Sequence, residues 1–116
     1  MAEFENIENC LEEIKNRYLN TEKVRKKLAT YDDPIEITFN DTNRKVLMLV
    51  DGDQGIEIKD NTGDESAPVK IEFTAEQIMI DLFNKDLGAV KAYSAGKIKV
   101  VEGSIRKLMK LKSLMF

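Results

Sequence analysis

The sequence contains no histidine and no tryptophan, and its 116 residues include one cysteine and two prolines. Without histidine, a Ser-His-Asp or Cys-His relay is impossible, and a structural zinc site lacks its usual nitrogen ligands. The single cysteine, Cys10, has no partner for an intrachain disulfide, which fits a reducing compartment, and we expect a cytoplasmic protein. These absences predict a chain with no metal site and no histidine-dependent catalysis.

Long apolar runs are also missing. No stretch approaches the roughly 18–20 apolar residues that a membrane span needs, and the first residues lack the basic and apolar regions of a secretory signal. The formal net charge of -3 disfavours nucleic acid as a partner. From Lys91 onward, however, seven basic residues accompany one acidic residue, Glu102. This local excess is typical of a solvated face and would also favour contact with an anionic surface.

What is present fits one globular domain spanning residues 1–116, because 42% of the residues are hydrophobic and charges of both signs are interspersed. The first element is an amphipathic helix predicted near residues 3–18. Its apolar residues recur at spacings of three and four, which is a helical stripe: Phe4, Ile7, Leu11, Ile14 and Tyr18. Such a stripe packs either on the body of the domain or on a helix of another chain. Thr21 then caps a second helix, which ends before Pro34.

Alternating or continuous apolar residues predict five strands, at 35–39, 46–50, 56–59, 69–73 and 97–101. The short links between the first four favour antiparallel pairing. Most strands have one apolar face, which predicts a sheet covered by helices on one side. The continuous run Val46–Val50 is typical of a central strand that is buried on both faces.

Helical periodicity returns after the fourth strand. Thr74 and Gln77 have the spacing of a capping box, and the helix that follows is apolar over more than half of its circumference. It must be buried on two sides or face a cavity as well as the sheet. A short helix carrying Leu87, Val90 and Tyr93 comes next, and a last helix is predicted over about 104–115. Internal methionines on these helices serve either as core filler or as the lining of a cavity for lipid.

The segment from Leu87 to Gly103 carries a resemblance to a known family. Ala92-Tyr93, then Gly96-Lys97-Ile98-Lys99-Val100, then Gly103 and an amphipathic helix from Ser104 follow the order seen in the sterol carrier protein type 2 domain family. The step from Phe73 into an apolar helix is also similar to that family. The resemblance covers about residues 21–116, so residues 1–19 look like an N-terminal helical extension.

The resemblance implies an α+β fold, with a five-stranded, mostly antiparallel sheet covered on one face by helices. It also implies a cavity between sheet and helices that binds or transfers a fatty acyl, sterol or isoprenoid ligand, without catalysis and without a cofactor. The expected lining residues are the apolar positions of the sheet and of the three later helices: Phe39, Met48, Ile71, Phe73, Met79, Leu82, Phe83, Leu87, Tyr93, Ile98, Val100, Leu108 and Met115.

Two further expectations concern partners. Lys107, Lys110 and Lys112 would meet an anionic headgroup or, transiently, a membrane surface. The alternative function is a ligand-free interaction module that dimerises, or docks a partner enzyme, through residues 3–18.

Overall fold

The computed structural model describes residues 4–29, 33–51 and 55–103. It begins with two helices, α1 (Ile7–Asn20) and α2 (Glu22–Lys27). Asn6 starts α1 by accepting a hydrogen bond from the backbone N–H of Asn9 at 2.9 Å, as a residue preceding the first turn commonly does. Thr21 precedes α2 as predicted, although its side chain makes no capping hydrogen bond.

Five strands form one sheet, and their bounds match the apolar patterns closely. They are β1 (Pro34–Phe39), β2 (Arg44–Asp51), β3 (Gly55–Asp60), β4 (Val69–Phe73) and β5 (Ile98–Glu102). Their order across the sheet is β3-β2-β1-β4-β5. Three of the neighbouring pairs are antiparallel, whereas β1 and β4 are parallel. The sheet is therefore mostly antiparallel, as expected.

The parallel pair arises because the chain crosses the sheet between β3 and β4. The connection between these parallel neighbours comprises β2, β3 and residues 61–68, and its last part crosses the outer face without a helix. The Asp64 N–H donates to Oε2 of Glu36 at 2.6 Å, and the Thr62 N–H donates to the carbonyl of Lys45 at 2.9 Å. Glu36 and Leu47 are consequently buried on this face. The crossing segment explains why the apolar run of β2 is covered on both sides.

The remaining helices, α3 (Glu76–Phe83) and α4 (Ala89–Ser94), lie with α1 on the inner face. Residues 35, 37 and 39 of β1, 69, 71 and 73 of β4, and the apolar stripe of α1 enter one buried cluster. Ile7, Cys10 and Ile14 are fully buried. Of the two interpretations of the first helix, packing on the body of its own domain is therefore confirmed.

One capping prediction was wrong. α3 begins at Glu76 with Ala75 at the capping position, and Gln77 donates to Asp81 at 2.8 Å instead of reaching back. The Glu76 N–H donates to Oδ1 of Asp41 at 3.2 Å, so an acceptor from the β1–β2 turn replaces the local cap. The last predicted helix, 104–115, lies outside the described residues. None of the described helices combines the length and the apolar character that crossing a bilayer requires.

Candidate functional site

The expected lining residues fall into three groups. The first group belongs to the packed core and is exposed by 6% or less: Phe39, Met48, Ile71, Phe73, Met79, Leu82, Phe83 and Ile98. The second group lies at the margin of the packed core: Leu87 and Val100 are half-buried, and Tyr93 is 47% exposed. The third group, Leu108 and Met115, lies outside the described residues, as do Lys107, Lys110 and Lys112. The structure therefore brings the first group together as one apolar layer between sheet and helices.

The breadth of the apolar surface on α3 has a direct explanation, since helix packing buries α3 on two sides. Met79 belongs to the core cluster that includes the sheet's inner face. On the other side, the ring of Phe83 meets the ring of Phe4 at a centroid distance of 5.5 Å, in an edge-to-face arrangement. Arg17 of α1 also stacks over Phe83, 4.8 Å from its centroid. α1 therefore covers the side of α3 that a cavity would otherwise occupy.

An apolar groove opens where α3 passes into α4. Its volume is about 480 Å³, within the range of about 300–1,000 Å³ that small-molecule sites occupy. It is lined by Leu82, Lys85, Leu87, Gly88, Ala89, Val90 and Lys91. We call these seven residues the α3–α4 groove.

The local backbone explains why this groove stays open. Lys85 adopts a left-handed conformation at φ 63°, and the Asp86 N–H donates to the carbonyl of Asp81 at 2.9 Å, so the chain turns sharply away from α3. Gly88 precedes α4, and a Cβ placed there would meet no atom within 4 Å. The turn thus separates α3 and α4 without a side chain to fill the space between them.

The floor and the rim of the α3–α4 groove differ in chemistry. Leu82 lines the groove and is also a member of the buried core, so the floor is continuous with the apolar layer. Val90 projects from the rim and is 80% exposed. Lys85 and Lys91 supply the charged groups among the lining residues. The groove therefore combines an apolar floor with a positively charged rim, a combination that suits an amphipathic anion.

A second groove, of about 490 Å³, separates α1 from β3. Its lining is more polar and includes Glu8, Glu12, Lys15 and Asp60 beside Leu11, Leu19 and Ile58. The acidic members Glu8 and Asp60 are already engaged by Arg44. This groove is therefore less suited to an apolar ligand than the α3–α4 groove.

Arg44 forms an ion-pair cluster that the sequence did not reveal. Its guanidinium contacts Glu8 of α1 at 2.7 Å, Asp60 of β3 at 2.9 Å and Glu76 of α3 at 3.1 Å. Hydrogen bonds from Arg44 lower the pKa of Asp60 and of Glu8, and the hydrogen bond to Asp60 is the largest cause that raises the pKa of Arg44. Because the four residues come from four elements, this cluster fastens α1 and α3 to one end of the sheet.

The described residues offer little for catalysis. Cys10 is fully buried, and this burial raises the pKa of its thiol to about 12, so the reactive thiolate is scarce. In the described ranges, no group of three Cys, Asp or Glu side chains is arranged to hold a metal ion.

The fold is that of a small α+β domain, with helices packed on one face of a five-stranded sheet. Comparison with known families identifies it further: the chain belongs to the SCP-2 sterol transfer family, whose model matches residues 11–116. The match begins within α1, so ten of the fourteen residues of that helix lie inside the family region. A comparison with curated protein sequences gives no match.

Solved structures share this fold at low sequence identity. Palmitated SCP2L2 from Aedes aegypti has 16% identity and a TM-score of 0.71, over 97% of this chain and 96% of that one. The UbiJ-SCP2 ubiquinone synthesis protein has 12% identity and a TM-score of 0.65, over 94% and 89% of the two chains. A sec-alkylsulfatase from Pseudomonas has 13% identity and a TM-score of 0.61 over 78% of this chain. This chain spans only 13% of the alkylsulfatase's length.

Proposed function

We propose that this protein binds an apolar lipid with an anionic end, of the fatty acyl type, and carries it without chemical change. The observation behind the proposal is the α3–α4 groove, whose apolar floor reaches the core through Leu82 and whose rim carries Lys85 and Lys91. The structural likeness to palmitated SCP2L2 supports the choice of an acyl chain. Membership of the SCP-2 sterol transfer family supports lipid binding in general.

Burial of the hydrocarbon supplies the affinity in this proposal. Each methylene moved from water into an apolar site gains roughly 0.8 kcal/mol, so a long chain binds with few polar contacts. The hydrocarbon chain of the ligand enters at the α3–α4 groove. It continues into the apolar layer between the sheet and the helices, which is formed by the core residues of the expected lining. Because that layer is packed in this conformation, the hydrocarbon chain of the ligand must separate α4 from the sheet. Of the three helices on the inner face, α4 buries the fewest residues, with Ala92 alone, so it yields more easily than α1 or α3.

The wider setting forms part of the same proposal. The chain acts as a single domain over 1–116, with α1 as one of its core helices, and works in the cytoplasm. Lys107, Lys110 and Lys112 meet an anionic headgroup or membrane surface during loading. Binding to liposomes that is independent of their anionic lipid content would remove this last part.

A second candidate function is that of an interaction module that docks a partner enzyme. The observation that favours it is the likeness to the UbiJ-SCP2 ubiquinone synthesis protein. The apolar stripe of residues 3–18 faces the core, so a partner would meet the other side of α1, where Leu19 is 62% exposed. Replacing Leu19 by Asp separates the functions: loss of a partner with unchanged lipid uptake favours docking.

Native mass spectrometry of the purified protein, followed by extraction and identification of lipid, tests the carrier proposal. We expect a reproducible adduct that is released on denaturation, and uptake of a fluorescent fatty acid by stripped protein. A protein that carries no adduct and takes up neither fatty acid nor sterol would contradict it.

A matched pair of substitutions tests the location of the site. Val90→Glu places a negative charge at the rim of the α3–α4 groove, on a side chain that is 80% exposed, so the fold should tolerate it. We expect fatty-acid uptake to weaken, because the new carboxylate repels the ligand's own. Val101→Glu, at a residue of β5 that is 49% exposed and does not line the groove, is the control. Equal uptake by both variants would place the site elsewhere.

A further inference from the structure

We propose that the edge strand β3 pairs with β3 of a second copy of this chain, so that two sheets join into one. The order β3-β2-β1-β4-β5 places β3 at an end of the sheet, with β2 as its hydrogen-bonded neighbour. The opposite edge of such a strand presents backbone N–H and C=O groups that can hydrogen-bond to another strand. This inference does not depend on the lipid proposal, because it uses a different side of the molecule.

The charge pattern of β3 complements itself in one register. A two-fold axis perpendicular to the sheet pairs the strands antiparallel and keeps the same face of each sheet on the same side. With that axis at Ile58, Glu57 of each copy lies opposite Lys59 of the other, which makes two pairs of opposite charge. Within one chain Nζ of Lys59 lies 3.9 Å from Oε1 of Glu57, and both side chains are exposed on the outer face, by 48% and 65%, so they can also reach the facing strand. Opposite charges directly across a strand pair stabilise it.

The neighbouring registers are disfavoured by the same residues. Side chains along a strand alternate between the inner and the outer face of the sheet. The inner faces of the two copies therefore lie on the same side only when the two-fold axis passes beside a residue, and not between two residues. Moving it to residue 57 sets Glu57 against Glu57 of the second copy, and moving it to residue 59 sets Lys59 against Lys59. Like charges directly opposite destabilise the pairing. The sequence of β3 therefore specifies one arrangement and opposes the two next to it.

The apolar residues near this edge fit the same arrangement. Ile58 of each copy comes to the two-fold axis on the inner face, where it is partly buried against its own core. Leu19 of α1 is 62% exposed. Together with Ile58 it lines the second groove described above, which separates α1 from β3. Pairing brings a second copy beside these side chains, and their removal from water adds to the backbone hydrogen bonds.

The length of the paired segment has natural limits. Asn61 follows β3 in a left-handed conformation at φ 56°, and Gly55 at its start has φ 103°. Extended pairing therefore spans residues 56–60, with Ile56 opposite Asp60 at each end. Asp60 is held by Arg44 of its own chain at 2.9 Å, so this carboxylate enters the interface already paired.

Sedimentation equilibrium at low salt tests the proposal on the full chain. We expect the unmodified protein to dimerise reversibly, and E57K or K59E alone to weaken dimerisation roughly tenfold, because each turns two attractive pairs into repulsive ones. The doubly exchanged variant E57K/K59E restores both pairs with reversed polarity and should dimerise like the unmodified chain. K23E, a charge reversal on an exposed residue of α2, is the control and should leave dimerisation unchanged.

Mixing the two single variants sharpens the test. The E57K copy presents two positive charges and the K59E copy two negative charges, so an equimolar mixture should associate more tightly than either alone. Amide hydrogen exchange in residues 56–60 should also slow as protein concentration rises. A protein that stays monomeric at its highest soluble concentration overturns the proposal. So does a dimer that E57K and K59E leave unchanged, or a mixture that associates no better than its components.

Discussion

The helices on the inner face are held in two different ways. α1 is fixed by fully buried residues such as Ile14, by the Arg44 cluster, and by the Asn84 side chain, which donates to the Phe4 carbonyl at 2.8 Å and accepts from its N–H at 2.9 Å. α4, in contrast, buries only Ala92 and exposes 80% of Val90. One end of the helical layer is therefore firmly packed and the other loosely packed, and we propose that the loosely packed end receives the ligand.

Substitutions in the buried face of α1 should destabilise the protein most. Ile14→Ala removes a fully buried side chain and leaves a cavity, so we expect a loss of about 2–5 kcal/mol in the free energy of unfolding. Val90→Ala removes apolar atoms of an exposed residue and should change stability by less than about 0.5 kcal/mol. Urea denaturation of both variants measures the contrast. Similar losses would mean that α4 is as tightly packed as α1.

Arg44 gives the next largest effect. Arg44→Met keeps an apolar side chain of similar length but leaves Glu8, Asp60 and Glu76 without the guanidinium that joins them. We expect a loss of about 1–3 kcal/mol, chiefly because the partly buried carboxylates of Asp60 and Glu76 lose charged hydrogen bonds. Lys26→Met, which breaks the exposed pair with Glu22, should cost almost nothing. A variant of Arg44 as stable as that control would show that the cluster does not fasten α1.

The smallest effect is a pH dependence with a definite sign. The Arg44 guanidinium lowers the pKa of Glu8 and of Asp60 below their ordinary 4.5 and 3.8. The stabilisation of the fold by these two carboxylates is complete at pH values above those ordinary pKa values. It is lost as the pH falls through the lower pKa values of the folded state, since the unfolded chain then binds more protons. The stability gap between the unmodified chain and R44M should therefore narrow below about pH 4.5. A gap that stays constant in acid would exclude these carboxylates as its source.

Much of the fold follows from local sequence patterns. The alternation in 69–73 gives β4 with the same bounds, and the stripe of the first helix gives the buried face of α1. Such patterns succeed because burial of one face imposes its period on the sequence. The family resemblance at Gly96-Lys97-Ile98 led to the α+β fold with its mostly antiparallel sheet, which the structure confirms.

Features that depend on distant residues did not follow from the sequence. The capping prediction at Thr74 failed because Asp41, from another turn, accepts the hydrogen bond from α3. The segment that leads from β3 to β4 donates a hydrogen bond to Glu36, an acceptor whose burial no local pattern indicates. The α3–α4 groove was only partly foreseen: Leu82 and Leu87 were expected in the lining, whereas Lys85 and Lys91 were not. The sequence alone does not indicate that these two lysines border the same groove, because that depends on how α3 and α4 pack.

An amide chemical-shift titration with palmitate compares the firmly packed α1 and the loosely packed α4 in one experiment. We expect the changes to concentrate at the end of α3 and in α4, at residues 82–91, with little change at Ile14 in α1. Val90→Glu should weaken the changes, and Val101→Glu should leave them as they are. Changes confined to α1, or none at palmitate saturation, would contradict a lipid site in the α3–α4 groove.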